Sequence, residues 1–205
     1  ARRLATTVAN LRAQRVVCNS AATERAFRAS GGRTPTTTVY NGFDPAPFES
    51  VTDDDVTDLR TTLGLGTATT IGVFSRLAAW KGQHVLLEAL PTLPDVHVLL
   101  VGDALFGEDD AYAARLRRQV AQTGLGDRVH FLGFRQDIPR LMKAVDVVAH
   151  TSVAAEPFGR VIVEGMLAGR PVVATRAGGA VEIIRDGVNG RLVPPGDPHA
   201  LATTL

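Results

Sequence analysis

The residues best suited to chemistry lie between Glu156 and Glu164, in the run Glu-Pro-Phe-Gly-Arg-Val-Ile-Val-Glu. A strand-like run, Asp146 to His150, precedes it, and from Gly159 to Gly169 apolar residues recur at helical spacing. Glu156 therefore falls in the loop before a helix and Glu164 about one turn inside it. Between them sits the helix N-terminus, whose unpaired N–H groups and positive dipole end favour an anion such as phosphate. Two carboxylates beside an anion repel it unless each faces a neutral group, and an ionised carboxylate can only accept hydrogen bonds. Hydroxyls on either side of a phosphate meet that requirement. A sugar on one side and a ribose on the other describe a nucleotide sugar. The plainer alternative makes Glu156 a helix-start residue and Glu164 a solvated surface side chain.

Other chemistry-bearing residues fall in loops that join strand-like runs to helix-like ones. After Thr70–Phe74 comes Ser75-Arg76-Leu-Ala-Ala-Trp-Lys81-Gly82. Arg76 and Lys81 can converge there on one diphosphate, Arg as a fork and Lys as a point charge. A lysine at a helix start opposes the helix dipole, which argues for another purpose. Gly102-Asp103 follows the second strand, where glycine lets a ligand approach the backbone and Asp103 can meet a hydroxyl or cap a turn. Gly133-Phe134-Arg135 follows the third and offers an aromatic wall for a nucleobase. His150-Thr-Ser152 ends the fourth strand, and a local hydrogen-bonding role is the favoured reading for His150. After the fifth, adjacent Gly178 and Gly179 are expected to expose N–H groups to a ligand, with Glu182 one turn into the next helix in a structural role. Asp53-Asp54-Asp55 after Thr52 reads as a helix start and not as a metal site. The five histidines, at 84, 97, 130, 150 and 199, have no metal-ligand spacing. No Gly-x-Gly-x-x-Gly follows a strand, no P-loop lysine motif is present, and no Ser, His and acid set is recognisable.

These loops need a scaffold that brings them together. Six short apolar runs, at 70–74, 96–101, 128–132, 146–150, 171–175 and 191–193, alternate with helix-like stretches at 83–90, 111–123, 138–144, 159–168 and 180–185. That alternation predicts an α/β fold, a Rossmann-like parallel sheet covered by helices on both faces. In such sheets ligands bind beyond the carboxyl ends of the strands. A helix-like Ala1–Leu11, strand-like Arg15–Asn19, a helix from Ser20 to the Gly31-Gly32 stop and a β-prone Thr36–Tyr40 precede it. They resemble the tail of a second Rossmann-like domain. The stiff Phe43-Asp-Pro-Ala-Pro-Phe48 reads as the connection. We divide the chain into residues 1–45, remnant and linker, and 46–205, the main domain.

With 45% hydrophobic and 21% charged residues and a net charge of +1, the chain has the composition of a globular protein and no basic surplus for nucleic acid. A lone cysteine, Cys18, excludes a disulfide framework, and no apolar run is long enough for a membrane span. A soluble, cytoplasmic protein is expected, with peripheral membrane attachment of a full-length enzyme as the variant reading.

Three motifs in order, Ser75-Arg-Leu-x-x-x-Lys81-Gly82, Glu156-Pro-Phe-Gly-x-x-x-x-Glu164 and Gly178-Gly179-x-x-Glu182, resemble the C-terminal, donor-binding domain of retaining glycosyltransferase family 4, of GT-B fold. Val39-Tyr-Asn-Gly-Phe-Asp44 resembles that family's interdomain linker. The resemblance implies a hexosyltransferase in which Arg76 and Lys81 bind the donor diphosphate and, with Glu156, serve catalysis. Glu156 would hold the transferred hexose and Glu164 the ribose. Backbone contacts would come from Phe158, Gly159, Arg160 and Val161, and base contacts from around Phe134 and Arg135. The donor would be a UDP-, GDP- or ADP-hexose, with no metal and no cofactor, and the acceptor a glycan, lipid or small molecule. Members also carry a full N-terminal acceptor domain with a glycine-rich loop and commonly a histidine by the sugar. Residues 1–40 match only its last strand and helix, so a fragment or a partly ordered chain is expected. A nucleotide-sugar binding module without catalysis, or another GT-B enzyme such as an epimerase, is the alternative.

Overall fold

The computed structural model of the chain describes residues 2–105, 107 and 109–205. Six strands, β3 (Thr69–Phe74), β4 (Val96–Val101), β5 (Val129–Gly133), β6 (Val147–His150), β7 (Val172–Thr175) and β8 (Arg191–Val193), form one sheet in the order β5-β4-β3-β6-β7-β8. Every neighbouring pair is parallel. This is the expected α/β sheet flanked by helices.

Period-2 side-chain alternation explains why the strands read as unbroken apolar runs. Ile71 and Val73 of β3 and Val98 and Leu100 of β4 enter one core cluster with Leu86, Leu90 and Leu116. Phe74, Leu99 and Val101 enter the other with Leu141, Met142 and Ile162. Both faces are buried, so neither tolerates polar alternation. The helices over the sheet are α4 (Asp53–Thr62), α5 (Gln83–Ala89), α6 (Asp110–Gln122), α7 (Ile138–Ala144), α8 (Arg160–Leu167), α9 (Ala180–Ile183) and α10 (Pro198–Thr204). The acidic run is a helix start, as expected: Asp55 and Thr52 form a reciprocal capping box at α4.

Upstream, α1 (Arg2–Arg12), β1 (Val16–Cys18), α2 (Ala21–Ala29) and β2 (Thr36–Thr38) form a separate unit whose two strands pair in parallel. The proline-rich connection differs from its expected turn. It winds into a short helix, α3 (Ala46–Glu49), entered from Pro45, and Phe48 is buried in the main core. Proline's fixed φ suits the first helical turn, where a missing N–H costs nothing, and burial of Phe48 decides between turn and helix.

Candidate donor site

The strand order reverses between β3 and β6, which lie side by side with Ile71 opposite Val147 and Gly72 opposite Val148. Diverging crossovers leave a crevice at such a switch point. The loop after β3 thereby meets the loop after β6. Thr151 Oγ1 donates to the Lys81 carbonyl at 2.8 Å, and the Val153 N–H to the Trp80 carbonyl at 2.9 Å.

A cavity of about 540 Å³ opens there, lined among others by Ser75, Arg76, Lys81, His150, Glu156 and Glu164. A second of about 280 Å³ adjoins it, sharing Phe74, Ser75, Arg76, Val161 and Glu164 and adding Gly102, Asp103, Phe134 and Arg135. The residues singled out in the four loops after β3, β4, β5 and β6 therefore lie along one cleft.

At its centre Lys81 Nζ donates to Glu156 Oε2 at 2.7 Å, each side chain being 15% exposed. Ser152 Oγ, at 3.2 Å, and His150 Nε2, at 3.5 Å, lie against the same oxygen. Glu156 Oε1 has no partner among the described residues and is left to accept from a ligand. Burial alone would raise the Glu156 pKa, but the hydrogen bonds from His150 and Lys81, with the lysine charge, hold it at about 2. The carboxylate is thus an acceptor throughout the neutral range. Lys81 Nζ has three N–H groups, of which Glu156 takes one. His150 is buried, and its Nδ1 finds no partner among the described residues.

Trp80 gathers the cations. Lys81 Nζ lies 4.1 Å and the Arg76 guanidinium carbon 5.5 Å from its ring centroid. Among the described residues the Arg76 guanidinium otherwise has a 3.9 Å contact with Asp109. Ser75 Oγ accepts from the fully buried Gln83 amide at 2.9 Å. At the start of α8, Gly159 takes φ 99° and the first internal bond is from the Ile162 N–H to the Gly159 carbonyl. The N–H groups of Gly159, Arg160 and Val161 have no acceptor among the described residues, and all three residues line the larger cavity. Phe158 lies beneath, 6% exposed and stacked on Phe43 at 6.0 Å. Glu164 accepts from Arg160 at 3.3 Å and lines both cavities.

In the smaller cavity Phe134 is 73% exposed, free to stack against a planar group. The Arg135 guanidinium is committed to Asp137 through two bonds of 2.8 and 2.6 Å, so it stiffens the wall. Asp103 accepts from the Ala104 N–H at 2.9 Å, and Gly102 donates its N–H to the Gly133 carbonyl at 2.8 Å.

The glycine pair behaves differently from its expectation. Gly179 does not offer its N–H to a ligand; it donates to the Glu156 carbonyl at 2.8 Å. Neither glycine lines the cleft. A Cβ at Gly178, where φ is 62°, would stand 2.1 Å from the Glu156 carbonyl, and one at Gly179 2.3 Å from that of Phe158. The pair lets two loops touch backbone to backbone. Asn19 and Asn41, from the upstream unit and its linker, line the larger cavity and were not singled out in the sequence. Asn41 sits in a turn-forming Asn-Gly pair, which explains its presence without a ligand. Among the described residues no three His, Cys, Asp or Glu are grouped to hold a metal, and no helix is long and apolar enough to cross a membrane.

The chain is similar to several known proteins. A solved structure of Anabaena Alr3699/HepE in complex with UDP-glucose is 51% identical, covers 98% of this chain and 56% of its own, and superposes with a TM-score of 0.95. The D-inositol 3-phosphate glycosyltransferase of Mycolicibacterium gilvum is 40% identical over 170 residues, 82% of this chain and 37% of that protein. Spore coat protein SA of Bacillus subtilis is 33% identical, matching 81% of this chain and 47% of its own length. The chain thus spans less than half of these two relatives and a little over half of the Anabaena protein. The family model for glycosyl transferases group 1 matches residues 68–205, the whole six-stranded sheet with its loops, and the chain belongs to that family.

Proposed function

We propose that this chain carries the donor half of a retaining hexosyltransferase of glycosyltransferase family 4, residues 46–205 forming its C-terminal domain. The observation that carries the reading is the convergence, in one cleft, of Arg76, Lys81 and three unpaired N–H groups between two carboxylates, Glu156 and Glu164. A diphosphate fits the cationic centre, a hexose the Glu156 end, a ribose Glu164, and a base the wall of Phe134. The UDP-glucose bound by the Anabaena protein supports a uridine donor.

In transfer, the bond between the anomeric carbon and the diphosphate oxygen breaks, and its electron pair leaves on that oxygen. The acceptor hydroxyl bonds to the same face and passes its proton to the leaving diphosphate oxygen. Arg76, Lys81 and the N–H groups of α8 stabilise the charge on the leaving diphosphate without metal. The acceptor side belongs to sequence beyond these residues, and a nucleotide-sugar donor fits a cytoplasmic setting.

The test is a calorimetric titration with UDP, GDP and ADP, with and without EDTA, on the chain and its Arg76→Ala/Lys81→Ala variant. EDTA-insensitive binding of UDP that the variant loses is the expected result. Binding that needs a divalent ion overturns the metal-free mechanism, and binding of none of the three overturns the donor site.

A further inference from the structure

Glu182 of α9 is 13% exposed, lies outside the cleft, and reaches across to the upstream unit. Its Oε2 accepts from the Ala21 N–H at 2.8 Å and the Tyr40 hydroxyl at 3.1 Å. Its Oε1 accepts from the Ala22 N–H at 2.6 Å and from Arg25 at 3.3 Å. A carboxylate against the first N–H groups of α2 matches the positive end of that helix. Ser20, the N-cap of α2, accepts from the Thr23 N–H at 2.9 Å and donates its hydroxyl proton to the Pro157 carbonyl. Pro157 adjoins Glu156, whose own carbonyl accepts from Gly179, and the Glu182 N–H returns to the Gly179 carbonyl at 3.0 Å.

These contacts close a ring. It runs from Glu182 through the α2 N-terminus, Ser20, Pro157, Glu156 and Gly179 back to Glu182. The segment 156–159, which presents one catalytic carboxylate and an anion-binding N–H, is gripped on one side by Ser20 and on the other by Gly178 and Gly179. Glu182 is the side chain that joins the two grips.

We propose that Glu182 is a positioning residue for the donor loop, acting through α2 and Ser20, so that docking of the upstream unit sets the geometry of Glu156 and the α8 N-terminus. The catalytic part of this inference rests on the proposed transferase; the mechanical part does not. A group misplaced by a fraction of an ångström costs turnover more than ground-state binding.

The experiment combines hydrogen exchange and steady-state kinetics on the full-length protein, comparing wild type with Glu182→Gln, Glu182→Ala, Ser20→Ala and the Glu182→Ala/Ser20→Ala double variant. Opening of the ring speeds exchange of the hydrogen-bonded Gly179, Glu182 and Ile162 amides by about tenfold or more. Because both side chains act in one ring, the double variant exchanges no faster than Glu182→Ala alone. For a donor the wild type turns over, kcat falls about tenfold or more with KM changed less than about threefold. Faster exchange confined to α2, additive effects, or an unchanged kcat once the loop has loosened overturns the proposal. Glu182→Gln and Ser20→Ala carry the test if Glu182→Ala does not fold. A wild type that transfers no sugar but shows the predicted exchange pattern refutes the transferase reading and leaves the mechanical role standing.

Discussion

In the proposed transfer Lys81 has two duties that one substitution can separate. It neutralises Glu156 at 2.7 Å, and it retains donors for a leaving diphosphate. Charge on the leaving oxygen develops in the transition state, so Lys81→Ala is expected to lower kcat about 100-fold or more while nucleotide affinity falls far less. Equal losses in both would mean uniform binding instead. Trp80 is the chain's single tryptophan and lies against both cations, so its fluorescence should report the proposed nucleotide binding. Trp80→Phe should keep the affinity within about threefold, whereas Trp80→Leu, which removes the ring's negative face, should weaken it about tenfold. Glu156 supplies a pH signature. Its folded pKa, about 2, lies below the ordinary 4.5, so its contribution to stability is complete above pH 4.5 and is lost as pH falls towards 2. Thermal melts should show a shallower acid limb for Glu156→Gln than for wild type across that window.

Among the elements, the two loops after β6 and β7 touch only because no side chain stands between them. Gly178 carries both demands at once: a left-handed φ of 62° and a neighbouring carbonyl 2.1 Å from any Cβ. Since the obstacle is backbone, a side chain cannot swing aside. Gly178→Ala should destabilise by about 2 kcal/mol or more, lowering Tm by roughly 4–8 °C in a domain of this size. A melt within a degree of wild type would show that the loop pair yields. The α8 N-terminus depends on the same contact, because Gly179 holds the Glu156 carbonyl one turn before it.

At the scale of the molecule, the upstream unit both contacts the loop of the site and exposes apolar surface. On α1, Leu4, Val8 and Leu11 are 71%, 52% and 75% exposed, and on β1 Val17 is 66% exposed. The spacing of the three helix residues puts them on one face, an apolar stripe of the kind that seeks a partner. The 205-residue chain should self-associate through it, detectable by sedimentation at micromolar concentration. Leu4→Ser, Val8→Ser and Leu11→Ser together should restore a monomer and leave nucleotide binding intact, since none of the three lines the cleft.

Period and punctuation in the sequence determine much of this protein locally. Apolar runs of strand length alternating with amphipathic stretches require a sheet buried on both faces, and the loops leading into helices then collect Arg76, Lys81, Glu156 and Glu164. Thr52 and Asp55 announce α4 because capping is a contact within one turn. What only the tertiary structure decided is who meets whom across long separations. Placing β6 beside β3 brings Lys81 to Glu156, 75 residues away, and no local rule states that order. The same holds for Gly179, whose N–H is indistinguishable in sequence from a ligand-binding one until the Glu156 carbonyl is found opposite it. Glu182, read along the chain, is a structural helix residue; its partners at Ala21 and Ala22 exist only once the two units are packed together. Hydrogen bonds are satisfied by whatever the fold brings within 3 Å, and the chain's order along its length does not encode that distance.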